Sequence, residues 1–352
     1  MSRRVVHVVP SLPPPPEGVG SFAMTLAAAL RAHHGIESRF LAAAELPRAE
    51  PAALAGALAL AAEGDGETAV LLHYANYGYQ PRGCPAWLVD GLARWRSRRP
   101  GRLVTMFHEI AATGPPWRSS FWLSPLQRRL AAALARLSDG LTTSLEIHRR
   151  LLLRWVPDRE VAVLPVFSTV GEPAAPPPLS ARARRLVVFG GPGTRERAYR
   201  ELGPALALAC RTLGIEEVCD VGPGDGPAAT GLPVPVRRLG PLAEAEVSAL
   251  LAGSLAGFVA YPPPFLPKST IFAAYCAHRV LPVCAWPRPR REAEPPPPFW
   301  IPDSRTPDSR IPDSRTPDGA DSLQGIADRA HAWYGGHALS RHAAAYEGLL
   351  FP

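Results

Sequence analysis

Lysine is almost missing from this chain: of 38 basic side chains only Lys268 is a lysine. Arginine supplies the generic positive charge, so a compact ammonium just ahead of an apolar, helix-like run is a candidate for holding an anion as a point charge. Cysteine is sparse as well. The five thiols (Cys84, Cys210, Cys219, Cys276, Cys284) are scattered without a Cys-x-x-Cys pair, which argues against a disulfide framework or a zinc site. Long apolar runs are lacking too: Pro51–Ala62 spans about a dozen residues where roughly 20 are needed to cross a bilayer. The opening Met1–Val9 reads as a first strand rather than a secretory leader, so a cytoplasmic location is expected. Neither the Gly-x-Gly-x-x-Gly dinucleotide fingerprint nor an Asp-x-Asp metal motif is met, so no cofactor and no metal are expected.

What is present is length and rhythm. A chain of 352 residues, 47% hydrophobic, can build two cores. Strand-like runs alternate with helical ones: Val5–Val9 then Ser21–His33, Ala69–His73 then Ala86–Arg96, Leu103–Phe107 then Leu123–Leu137. That is the βαβ pattern of a doubly wound parallel sheet. After the proline-rich break Glu172–Leu179 it restarts with Arg185–Gly190, a helix from about Glu196 to Leu213, and Glu217–Val221. The expected division is an N-terminal Rossmann-like domain over 1–165 and a second over 166–321. Helices over 322–352 are expected to pack back across the two. Between 287 and 321, four prolines at 295–298 and the repeat Ile301-Pro-Asp-Ser-Arg lack an apolar face, which predicts a disordered insertion.

Candidate chemistry sits where strands end. Gly18 and Gly20 precede the first helix, where exposed N–H groups and the helix dipole attract a phosphate. Met106-Phe107-His108-Glu109 closes a strand with an imidazole able to manage a proton near neutral pH. Gly190–Gly193 leads to Arg195 and Arg200, a candidate diphosphate clamp in which Arg197 is an alternative to Arg200. Lys268, Ser269 and Thr270 combine an ammonium, two hydroxyls and a helix start. Aromatic loops at Tyr74, Tyr77 and Trp117 offer faces for sugar rings or lipid chains. Residues 1–165 hold 19 arginines against 13 acidic residues. The clusters at Arg94–Arg99, Arg128–Arg129 and Arg149–Arg150 are candidates for peripheral contact with anionic lipid, with Trp95 at the interface. No nucleic-acid-binding motif accompanies the charge.

In this order and spacing, together with Leu239–Ser248 and the helix ending near Leu281–Val283, these motifs resemble the family 4 glycosyltransferases of the GT-B fold. The resemblance spans most of the chain. It implies two Rossmann-like parallel-sheet domains facing across a cleft and sugar transfer from a nucleotide-diphosphate sugar to a glycan or lipid-linked acceptor, with retention. It places Gly18, Gly20, Arg195, Arg200, Lys268, Ser269 and Thr270 at the donor, His108 beside the transferred sugar, and Tyr74, Tyr77 and Trp117 at the acceptor. The chain departs from the family in two places. The paired glutamates would fall near Leu266 and Ala274, neither acidic, and the usual glycine before Pro-Val is Arg279.

Overall fold

The computed structural model describes residues 2–13, 18–64, 66–98, 101–114, 116–226, 229–286, 298–302 and 322–352. The chain divides into two compact units, Met1–Pro165 with Leu339–Pro352, and Val166–Ala338.

The first unit is a parallel sheet of β1 (Arg3–Val9), β2 (Glu37–Ala42), β3 (Glu67–Tyr74), β4 (Arg102–Phe107), β5 (Gly140–Thr143) and β6 (Ala162–Val163), in the order β2-β1-β3-β4-β5-β6. Its connections carry α1 (Gly18–His34), α2 (Pro51–Ala61), α3 (Asn76–Tyr79), α4 (Ala86–Arg98), α5 (Ser119–Leu137) and α6 (Glu146–Leu153). Helices on both faces bury the strands on both faces, which is why β1 and β3 read as near-continuous apolar runs. The exceptions in those runs are two histidines, His7 and His73, both fully buried. The alanine-rich run from Pro51 becomes α2, with the proline at its first turn, where its missing N–H costs nothing. β2, β5 and β6 are too short or too polar to stand out from the sequence.

The second unit has strands β7 (Ala183–Phe189), β8 (Glu217–Val221), β9 (Val236–Gly240), β10 (Ser254–Val259) and β11 (Leu281–Cys284), all parallel, ordered β11-β10-β7-β8-β9. Its helices are α7 (Pro192–Glu196), α8 (Gly203–Thr212), α9 (Glu244–Ala252), α10 (Thr270–Ala277) and α11 (Leu323–Gly335). The single helix expected over 196–213 is instead broken: α7 passes into a π-helical turn, Arg197–Glu201, and α8 starts afresh at Gly203-Pro204. Pro204 cannot donate to the preceding turn, so the ladder must restart there. Tyr275 pins α10 to the sheet. Its hydroxyl donates to Val187 O at 3.0 Å, and its ring fills the space over Gly257, where a Cβ would lie 2.6 Å from it. Arg279, in place of the expected glycine, takes the left-handed conformation at φ 54° just past α10 and pairs with Asp328.

The last helix, α12 (Leu339–Leu350), belongs to the first unit, whereas α11 belongs to the second. Tyr346 meets Thr142 at 3.0 Å, His342 donates to Pro165 O, and Arg3 pairs with Glu347 at 2.6 Å, fastening α12 to the first sheet. The proline-rich insertion at 287–321 lies outside the described residues apart from 298–302. There Trp300 bridges Val283 in parallel, beside β11, and Phe299 is buried.

Candidate functional site

In both sheets the strand order reverses once: between β1 and β3 in the first unit, and between β7 and β10 in the second. At such a switch point the connecting helices leave in opposite directions and open a crevice beyond the carboxyl ends of the strands, where ligands of this architecture bind.

In the second unit, the turn leaving β7 packs directly on the start of α10. Gly190 sits at φ 140°, and a Cβ there would come within 2.6 Å of the Ile271 side chain. Ser269 caps α10 by accepting the Phe272 N–H at 3.2 Å. Lys268 and Thr270 flank it, both half-buried. Arg197 reaches the end of β10, its Nη1 donating to Ala260 O at 3.3 Å. A glycine turn, a capped helix start, an ammonium and a guanidinium therefore share one end of one sheet. That combination attracts a polyanion through N–H groups and charge together.

The two arginines expected to form a clamp separate. Arg200 is 66% exposed and bonded to Glu196 along its own turn at 2.8 Å. Arg195 is 1% exposed and turned into the interior, where Nε and Nη2 meet the two carboxylate oxygens of Asp220 at 2.7 and 2.8 Å and Nη1 reaches Pro223 O. The bonds to Asp220 are the main reason its pKa rises. Gly222 and Gly226 make room for this pair: a Cβ at Gly226 would lie 2.6 Å from Arg195 Nη2 and from Asp220 Oδ2. With every nitrogen engaged inside the unit, Arg195 is placed to lock the β7–α7 turn onto β8 rather than to clamp a diphosphate. The cation that does reach a strand end is Arg197, the alternative left open by the sequence.

In the first unit, Gly20 is required by packing: a Cβ would lie 2.5 Å from Ser11 O, where the chain leaves β1. Gly18 has open space at the start of α1. His108 follows β4, its N–H bonded to Tyr74 O at 2.9 Å, and Phe22 of α1 meets its ring edge-on. Behind His108 stand two histidines that sequence reasoning passed over. His73 Nδ1 lies 3.4 Å from His108 Nε2, and His73 Nε2 lies 3.0 Å from His7 Nδ1. Burial drives His7 down to about 3 and His73 well below 6.5, so both are neutral. Their one signal in the sequence is an imidazole inside an otherwise apolar strand.

The aromatic candidates divide. Tyr74 is fully buried, its hydroxyl without a hydrogen-bond partner among the described residues, and burial raises its pKa. It belongs to the core and cannot meet an acceptor in this conformation. Tyr77 is exposed and accepts from Gln127, while Trp117 is 83% exposed. Trp95 is buried at 3%, contrary to the interfacial place expected for it. Arg96 beside it holds Asp139 with two bonds of 2.6 and 2.5 Å, and Arg149 and Arg150 share Glu146, so these arginines are committed locally. The exposed aromatic face lies instead on and before α5, at Trp117, Phe121 and Trp122, near the exposed Arg128 and Arg129.

No protein-family model matches the sequence, and no curated protein matches it. Solved structures do match, at full length. An alpha-glucosyltransferase in complex with UDP aligns over 99% of both chains with TM-score 0.61 and 12% identity. A trehalose-6-phosphate structure from E. coli bound with UDP-2-fluoro glucose aligns over 99% of both chains with TM-score 0.59 and 13% identity. WaaG, a glycosyltransferase involved in lipopolysaccharide biosynthesis, aligns over 98% of this chain and 99% of its own with TM-score 0.54 and 12% identity. The two parallel-sheet α/β units thus have the GT-B fold.

Proposed function

We propose that this protein is a glycosyltransferase that moves a sugar from a nucleotide-diphosphate sugar to a glycan or lipid-linked acceptor, with retention of configuration. The observation that carries the reading is the arrangement in the second unit, where Lys268, Arg197, the Gly190 turn and the Ser269-capped start of α10 meet at the switch point of the sheet. A diphosphate there would meet N–H groups and two cations. These would also stabilise charge developing on the departing nucleoside diphosphate without a metal ion. The likeness to folds whose structures hold UDP or UDP-2-fluoro glucose supports a nucleotide-sugar donor. The imidazole of His108 is assigned to the transferred sugar, and Tyr77 and Trp117 to the acceptor. The exposed Trp117, Phe121 and Trp122 with Arg128 and Arg129 fit peripheral attachment at an anionic membrane face, as a lipid-linked acceptor would require.

A second reading, a protein that binds the nucleotide sugar without turning it over, is favoured by Leu266 and Ala274. The positions where the resembling family carries glutamates are here apolar and buried. One experiment separates the two. A panel of nucleotide sugars is followed by thermal shift and by release of nucleoside diphosphate: a rise in Tm with release supports transfer chemistry, a rise without release supports binding alone. Lys268→Ala is expected to weaken donor binding at least about tenfold, as loss of a charged phosphate contact does. Arg128→Ala should leave binding unchanged. Equal effects of the two substitutions would remove the donor site from this end of the sheet.

A further inference from the structure

We propose that Ser38, His7 and His73 form a positioning row that holds His108 with a proton on Nε2 and so confines proton exchange at His108 to Nδ1. Register lays the row down. Ser38 is level with Val5, and His7 lies two residues beyond Val5. Leu71 is level with His7, and His73 lies two beyond Leu71. Met106 is level with His73, and His108 lies two beyond Met106. Alternate residues of a strand share a face, so the four side chains form one diagonal that climbs to the carboxyl end of β4. The links measure 3.2 Å from Ser38 Oγ to His7 Nε2, 3.0 Å from His7 Nδ1 to His73 Nε2, and 3.4 Å from His73 Nδ1 to His108 Nε2. The imidazole planes lie within 14° and 23° of parallel with ring centres 5.3 and 5.6 Å apart, so the rings meet edge to edge, and Phe40 closes the far end at 5.0 Å.

A neutral imidazole has one donor and one acceptor nitrogen, and both inner rings are neutral by burial. Each link carries a single proton, so the links must all run the same way. Either every ring has its proton on Nδ1, pointing along the row to His108, or every ring has it on Nε2, pointing back to Ser38. Only the second arrangement serves both charge states of His108, because an imidazolium there needs His73 Nδ1 as an acceptor for its Nε2–H. In that arrangement His73 Nε2–H donates to His7 Nδ1, and His7 Nε2–H donates to the half-exposed Ser38 hydroxyl. A ring whose far nitrogen is held this way keeps one tautomer and one orientation. Among the described residues, several elements present groups to the row. α1 presents Phe22 edge-on to His73 and His108, and α12 presents His342 across Phe22. β2 presents Phe40 and Ser38, α3 presents Tyr79, whose hydroxyl reaches Val8 O and His73 O, and Glu109 adjoins His108 in the chain.

The row does not depend on the proposed transfer reaction; only the use made of His108 rests on it. The test therefore needs no donor. In full-length protein carrying 15N-labelled histidine, long-range proton–nitrogen correlation spectra read the tautomer of each ring between pH 5 and 9. The expected result is Nε2–H on His7, His73 and His108 alike, with only His108 taking up a second proton. Mixed tautomers among the three rings would overturn the proposal before any variant is made. His7→Phe keeps an aromatic ring beside Phe40 but removes the acceptor for His73. It is expected to turn His73 round and move His108, which His7 does not touch, toward the Nδ1–H tautomer. His73→Phe is expected to release His108 into a mixture of tautomers, through loss of the acceptor that holds its Nε2–H. If His108 keeps its spectrum in both folded variants, the row is packing and nothing else.

Discussion

The two units reverse their strand order in the same way and then furnish the resulting crevice with opposite chemistry. In the second unit the switch point is lined by backbone and fixed charge: a glycine turn, a capped helix start, Lys268 and Arg197. In the first it is backed by imidazoles and aromatic rings: His7, His73, His108, Phe22 and Phe40. One end has the chemistry to suit an anion, the other the chemistry to suit a proton. Topology decides where a ligand can sit, and the side chains that the register brings there decide what can happen to it.

The comparison breaks most severely at Arg195. If the guanidinium holds the interior of the second unit, Arg195→Ala strands Asp220 and is expected to cost about 3–5 kcal/mol, read as a lower urea midpoint. A stable variant that has lost only donor binding would return Arg195 to the ligand. Next in size, per pH unit, is acid. His7 at about 3 and His342 at about 4 lie below 6.5, so between those values the unfolded chain binds protons that the folded chain refuses. The neutral forms therefore contribute stability that is complete above pH 6.5 and lost as pH falls. The loss is about 1.4 kcal/mol per pH unit for each buried histidine. His7→Phe should flatten that slope in the first unit, and an unchanged slope would contradict the burial. The smallest effect is at Arg279. With its ion pair to Asp328 already removed by Asp328→Asn, Arg279→Gly should stabilise by about 1 kcal/mol, since glycine takes the left-handed conformation without strain. A loss of Tm in that background would show that the arginine stem packs usefully.

Much of the fold was legible. β1, β3, β4, β7 and β8 stand out as apolar runs bounded by turn residues, and their alternation with helical stretches implies parallel sheets. β2 and β5 were not legible, because an exposed edge strand and a four-residue strand carry too little pattern. The break at Gly203-Pro204 was written in the residues but outweighed by the helical run around it. At the site, the glycine turn and the Lys268–Thr270 helix start were found from local chemistry alone. The arginines were not sorted, since Arg195, Arg197 and Arg200 differ by which way one turn faces.

The sequence alone determined the alternation of strand and helix, the restart after the proline-rich break, and the local chemistry of the glycine turn and of the Lys268–Thr270 helix start. These depend on neighbours within a few positions. Tertiary structure decided that Arg195 is spent on Asp220, that Tyr74 and Trp95 belong to the core, and that His7, His73 and His108 touch. Burial and register join residues tens of positions apart. Whether a charge or an imidazole is a ligand or a structural partner depends on what the opposite strand places within about 3 Å of it.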